Sequence, residues 1–214
     1  SQLKPQYAVG VTYNMPFDTV VNVKGKEQVL KMDVYAPVQV STSKKLPTVL
    51  LLFGGGFYWG NKNNYPMETI CNRMAQMGFV AISIDYRTRW KKSLPELEKG
   101  ATTLYRAIQD LRSAMLFLET DIASVNQWQI DTSKFFLGGN SSGSIIAMNY
   151  HFIEPKNSNI FSHLEAELGA WSKPSFRASA LINLCGAISD TNLIAKPTPI
   201  LSAHGNEDNI VPYK

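Results

Sequence analysis

Lys134-Phe135-Phe136-Leu137-Gly138-Gly139-Asn140-Ser141-Ser142-Gly143 is the stretch on which the reading of this chain turns. A short apolar strand pattern runs into glycines, and the sequence becomes helical from Ser144 to about residue 152. Gly139-Asn140-Ser141-Ser142-Gly143 is a G-x-S-x-G pattern between a predicted strand and a predicted helix. A sharp turn there strains the central residue and lifts its hydroxyl off the sheet. Side chains two positions before or after it would collide with the neighbouring strand and helix. The helix N-terminus faces any negative charge that develops beside Ser141. An ordinary Gly/Ser turn can carry the same five letters. The strand before and the helix after favour a nucleophile, and Ser142, the competing hydroxyl, lies outside the frame.

Working outward, short apolar runs alternate with longer helical patterns. Residues 28–35 alternate in the strand manner, 48–53 are almost wholly apolar, and 79–84, 178–185 and 199–203 read as further strands. Strands buried on both faces of a parallel sheet have this composition. Between them lie a helical segment over 67–77 closed by Gly78, and a five-turn amphipathic helix over 101–119. In the latter, Leu104, Ile108, Leu111, Met115 and Leu118 recur at three- and four-residue spacing. Residues 154–177, with Pro155 and Pro174, read as a surface excursion. This order predicts a single α/β domain over 1–214, with a mostly parallel central sheet and helices on both faces. Chemistry in such sheets gathers at the carboxyl ends of the strands.

Composition narrows the function. Hydrophobic residues make up 44% and charged residues 18%, enough apolar content for one sizeable core. The net charge of +4 comes mostly from scattered basic pairs rather than a continuous face, which argues against nucleic acid. The basic and aromatic run over 86–92 reads first as a solvated loop. No apolar run approaches a membrane span. Two cysteines, Cys71 and Cys185, exclude a disulfide scaffold and are expected to be buried thiols; the three histidines show no metal-ligand spacing. Neither a metal nor an organic cofactor is expected. Ser1 stands where Met would be, and the expectation is an exported protein, secreted or periplasmic, whose signal peptide has been removed.

Two more segments sit at predicted strand ends. Phe53-Gly54-Gly55-Gly56-Phe57 lets the backbone approach a ligand with its N–H groups exposed, as an oxyanion requires. A flexible turn or a nucleotide loop is the competing reading. The Walker pattern fails for lack of a following Gly-Lys-Ser/Thr, and G-x-G-x-x-G fails because Trp59 occupies its last glycine position. In His204-Gly205-Asn206-Glu207-Asp208 the acid can turn back toward the strand edge and orient an imidazole. An isolated Asp there is more often a turn or cap residue; the other two segments favour the catalytic reading.

With these segments in this order, the chain resembles the α/β-hydrolase superfamily, in its carboxylesterase and hormone-sensitive-lipase-like group. Phe53-Gly54-Gly55-Gly56-Phe57 resembles that group's H-G-G-G-F segment, Asp85-Tyr86-Arg87 its D-Y-R, and His204 to Asp208 its acid loop. The resemblance runs from about residue 28 to the end. It implies Ser141 as nucleophile, Asp208 as triad acid, and the N–H groups of Gly55, Gly56 and Ser142 as the oxyanion hole. Two departures stand out. Phe53 takes the place of the motif's His, and the catalytic His, which in this group follows the acid by roughly thirty residues, is not in the sequence.

His151 falls about 15 Å along the helix that starts at the nucleophile, at 1.5 Å per residue. His163 lies in the excursion, and His204 belongs structurally to its strand end. The expectation is therefore that the base, with a final strand and helix, lies beyond residue 214. Phe57, Tyr58 and Trp59 are expected to line an acyl or sugar pocket. The segment 186–196 is too short for a large helical lid. An open site suits short acyl groups on a bulky alcohol such as a decorated polysaccharide. The sequence thus points to a serine esterase acting on a small-molecule or carbohydrate ester. An amidase or peptidase on the same triad is one rival; a non-catalytic binding protein of the same fold is the other.

Overall fold

The computed structural model describes residues 5–41, 43–89, 96–154, 159–169, 173–194 and 197–213. A seven-stranded sheet forms its centre: β1 (Val9–Val21), β2 (Glu27–Pro37), β3 (Leu46–Leu52), β4 (Val80–Ile84), β5 (Ile130–Asn140), β6 (Ala180–Leu184) and β7 (Ile200–Ala203), in the order β1-β2-β4-β3-β5-β6-β7. β1 runs antiparallel to β2 and β2 antiparallel to β4, while every pair from β4 through β3, β5 and β6 to β7 is parallel. The helices are α1 (Met67–Gln76), α2 (Glu96–Ser124), α3 (Ser142–Phe152) and α4 (Asn159–Leu168).

The central strands explain themselves. From Thr48 to Leu52 every residue of β3 is buried, and so is all of β4. Alternating side chains point to opposite faces, so both faces of these strands are covered. On α2, Leu104, Ile108, Leu111, Met115 and Leu118 are all buried, as their spacing predicts. Each fully buried Leu or Ile of this kind contributes roughly 1.5–3 kcal/mol.

The expected α/β sheet is present, with four differences. β1 is an additional strand; its positions are only half-buried at most, so it lacks the apolar signal of an inner strand. Helix α4 occupies part of the stretch read as an excursion, seating Phe161 and Leu164 in the core. Helix α2 extends beyond 101–119 at both ends. Cys185 is only half-buried, because it sits where β6 leaves the sheet, whereas Cys71 is fully buried on α1. Of the basic run 86–92, Trp90, Lys91 and Lys92 lie outside the described residues, as do Ala195 and Lys196 of the segment 186–196. No described helix is long and apolar enough to cross a membrane.

The strand order fixes where a site can form. The chain passes from β3 to β4 on one side, then through α2 to β5 on the other side of β3. β3 and β5 therefore flank the point where the order reverses, the place where open α/β sheets bind ligands. Leu52 at the end of β3 pairs with Gly139 at the end of β5. The glycine loop and the G-x-S-x-G turn leave the sheet side by side.

Candidate active site

Ser141 caps α3 with φ 51° and ψ −119°, a strained conformation for a side chain bearing a Cβ. Its N–H donates to the Leu184 carbonyl at 2.7 Å, and its carbonyl accepts from Ile145 N–H at 3.0 Å. These bonds hold the turn between β6 and the first turn of α3. Gly143 has to be glycine, since a Cβ there would overlap the Leu52 carbonyl oxygen. A Cβ on Gly139 would lie 2.6 Å from that same oxygen. The turn is packed this tightly against the end of β3. Ser142 is buried and Ser141 is not, which separates the two hydroxyls.

The loop after β3 lies against the turn. A Cβ on Gly54 would come within 3.2 Å of the Ser141 Cβ and 2.9 Å of Asn140 Nδ2. Gly55 has φ +139°, and a Cβ there would overlap the Trp59 carbonyl. The Gly55 carbonyl accepts from Tyr58 N–H at 3.0 Å, which folds the loop back on itself. Among the described residues, the N–H groups of Gly55, Gly56 and Ser142 donate to no protein acceptor. Phe57 packs against the core, Tyr58 is half-exposed and Trp59 is 72% exposed. Of the three expected pocket residues, then, Trp59 presents its ring to solvent, while the Arg89 guanidinium lies 5.8 Å over the Tyr58 ring.

Asp85, Tyr86 and Arg87 each anchor something different. Asp85 accepts the Lys62 N–H at 3.1 Å, at the exit of the glycine loop. Burial pushes its carboxyl up, opposed by that N–H and by the Lys62 charge. Tyr86 donates its phenol proton to the Phe53 carbonyl at 2.9 Å, at the loop's entry, and its ring stacks on Phe53 at 4.2 Å. Its oxygen lies 3.2 Å from Ser142 Oγ. Burial pushes the phenol well above the usual tyrosine range, so it stays protonated. Arg87 binds Asp110 of α2, from Nη2 at 2.7 Å and Nε at 2.9 Å. Burial raises the Asp110 carboxyl, opposed by Arg87. Lys62 extends the network, with Nζ 3.0 Å from the buried Asp33 carboxylate of β2.

The acid loop follows β7, two strands from β5, so Asp208 lies at the same sheet edge as Ser141. Its Oδ1 accepts N–H groups from Val211 and Ile210, both at 2.9 Å. Those two bonds hold the half-buried carboxyl below the usual carboxylate range. Asp208 thus forms its own turn and still offers Oδ2, which faces His204 Nε2 at 3.5 Å. His204 Nε2 lies 2.6 Å from the Val211 carbonyl, so this nitrogen carries the proton and the ring serves its own loop. His151 binds Thr198 Oγ1 at 2.9 Å, and His163 is exposed on α4. Among the described residues, no histidine is hydrogen-bonded to Ser141, and no cluster of potential ligands could hold a metal.

The sequence reading took Tyr86 and Arg87 into a solvated loop, but Tyr86 is buried against Phe53 and Arg87 is drawn inward by Asp110; it assigned no role to Asp110 or Lys62. The D-Y-R segment was the available signal for the first two. Lys62 and Asp33 are 29 residues apart in the sequence, and only the pairing of β2 with β4 brings them together.

A family model, BD-FAE, matches residues 32–195, which include the glycine loop, the D-Y-R segment and the Ser141 turn. The chain belongs to the BD-FAE family. Its fold is that of solved α/β-hydrolase-fold esterases. This BD-FAE chain is 27% identical over 168 residues to lipase 2 of Diutina rugosa, covering 77% of the chain and 28% of that protein. A secreted triacylglycerol lipase of Gibberella zeae is 27% identical over 140 residues, 63% of the chain and 23% of the lipase. The chain spans about a quarter of the length of these curated relatives. Among solved structures, esterase 2 of Thermogutta terrifontis, phosphorylated by paraoxon, superposes with a TM-score of 0.65 at 21% identity. That match covers 95% of this chain and 74% of the esterase. Esterase B of Lactobacillus rhamnosis gives a TM-score of 0.59 at 21% identity, over 83% of this chain and 49% of that one. At these identities the superpositions show the shared fold.

Proposed function

We propose that this BD-FAE chain carries the nucleophile, oxyanion hole and acid of a serine hydrolase that cleaves carboxylic esters. The observation that carries this reading is the strained Ser141 turn lying against Gly54 at the point where the strand order reverses. Ser141 Oγ attacks the ester carbonyl and passes its proton to a histidine, which Asp208 orients. The carbonyl oxygen becomes an oxyanion facing the N–H groups of Gly55, Gly56 and Ser142. As the intermediate collapses, the alcohol leaves with the proton from the histidine, and water attacks the acyl-enzyme by the same route. The histidine of this scheme is none of those hydrogen-bonded elsewhere, since His151 meets Thr198 and His204 meets Val211.

For the substrate we propose a short acyl group on a carbohydrate. The exposed Trp59 ring lies beside Gly55 of the glycine loop, and sugars stack on such faces. Action outside the cytoplasm, secreted or periplasmic, fits a polysaccharide substrate. The test is a fluorophosphonate probe on the full gene product, read by intact mass and peptide mapping. One adduct on Ser141, lost in Ser141→Ala together with hydrolysis of acetylated oligosaccharide, supports the reading. An unlabelled protein overturns it and leaves a binding protein of the same fold. Faster turnover of long-chain triglycerides than of acetyl esters overturns the substrate class alone.

A further inference from the structure

Resting on the serine-hydrolase reading above, we propose that Tyr86 is the positioning residue of the oxyanion hole, tying the glycine loop to the nucleophile turn. The oxyanion donors come from two separate places, the Gly54–Gly56 loop after β3 and the first turn of α3. Their backbones abut where Gly143 meets the Leu52 carbonyl, and among the described residues no backbone hydrogen bond joins the glycine loop to α3. Phe53 has a hydrocarbon side chain and can donate no hydrogen bond to hold the loop.

Tyr86 bridges the gap. Each hydroxyl donates once. The phenol gives its proton to the Phe53 carbonyl at 2.9 Å, so at 3.2 Å the Ser142 hydroxyl is the donor to the phenol oxygen. The chain Ser142 Oγ–H to Tyr86 O–H to Phe53 carbonyl runs from the residue after the nucleophile to the residue before the first glycine. Tyr86 is 2% exposed, Ser142 1% and Phe53 1%, so no water competes for these bonds. Stacking on Phe53 fixes the ring plane, and the Arg87–Asp110 pair fixes the next residue to α2. A phenol held neutral by burial keeps its proton in the bond throughout the working pH range.

The phenol touches neither substrate nor reacting atoms, so its removal acts through the placement of the amides. Displacing donors by about 1 Å is enough to cost on the order of a hundredfold in rate. Tyr86→Phe keeps the stack and deletes the chain. In the full gene product, the expected result is a kcat lowered tenfold to a hundredfold per site titrated with fluorophosphonate. KM should stay within about threefold. The affinity of a trifluoromethyl ketone, which forms a tetrahedral adduct, should fall by the same factor as kcat. A merely structural role would lower the titratable fraction and leave kcat per titrated site and ketone affinity unchanged, which overturns the proposal. Ser142→Ala keeps the residue 142 amide and removes only the donor to the phenol. If Tyr86→Phe does not fold, that variant decides: a parallel fall in kcat and ketone affinity supports the chain, and no change overturns it. A native protein that fails to label at Ser141 overturns the hydrolase reading itself. Labelling with unaltered variant kinetics overturns only the role of Tyr86.

Discussion

At the scale of the residue, glycines decide whether the turn can exist. Gly143 abuts the Leu52 carbonyl so closely that a single methyl cannot be placed without moving β3 or α3. Both are central elements, and the overlapping atom is backbone rather than a flexible side chain. Overpacking of this kind costs about 3 kcal/mol. For a domain of this length that corresponds to roughly 10 °C in Tm. Gly143→Ala is therefore expected to show both a melting temperature lower by about that amount and loss of probe labelling at Ser141. A variant that melts with the native protein and labels normally contradicts the packing described here. The strain at Ser141 itself is held by one bond to β6 and one to α3, and a tight turn built this way tolerates no slack.

Among the elements, the short segment after β4 has the most to do. Asp85 and Tyr86 hold the two ends of the glycine loop, while Arg87 fastens the segment to α2. Asp110 is buried and Arg87 largely so, and removing one partner strands a charge that burial disfavours. Asp110→Asn is expected to lower stability in urea unfolding by about 3 kcal/mol. The double change Arg87→Met with Asp110→Leu should recover most of that, since a packed apolar pair leaves no uncompensated charge. Equal losses in the single and double variants would show that the pair contributes through shape rather than charge. Legibility also differs by element. The G-x-S-x-G turn was readable because its chemistry is local, contained in five consecutive residues. The anchoring of the glycine loop was not, because Asp85, Lys62, Phe53 and Ser142 meet only when β3, β4 and β5 are laid side by side.

For the molecule as a whole, pH is a global probe. His151, on α3, joins the segment before β7 through Thr198, and its ring is held neutral by burial and then by the charges of Lys173 and Arg177. These push its pKa down from 6.5 to about 4. Between those values the unfolded chain takes up a proton that the folded protein refuses. Stability from this residue is therefore fully present above pH 6.5 and is lost progressively as pH falls toward 4. Allowing for its partial exposure, the loss is on the order of 1–2 kcal/mol. His151→Gln removes the titration and retains a side chain able to meet Thr198. Its Tm should fall less steeply than that of the native protein between pH 6.5 and 4, and parallel curves would place the acid sensitivity elsewhere.

The sequence alone determined the sheet's central strands, the helices between them and the location of the Ser141 turn. These follow from periodicity, glycine placement and side-chain volume, all of which act between near neighbours in the chain. It did not determine β1, whose half-buried pattern carries little apolar signal, or α4, hidden in a stretch bounded by prolines. Nor could it show that Lys62 meets Asp33, or that Tyr86 ties Phe53 to Ser142. Those facts depend on which strands lie next to each other. Strand order is set by the packing of both sheet faces at once, and only the tertiary structure carries that information.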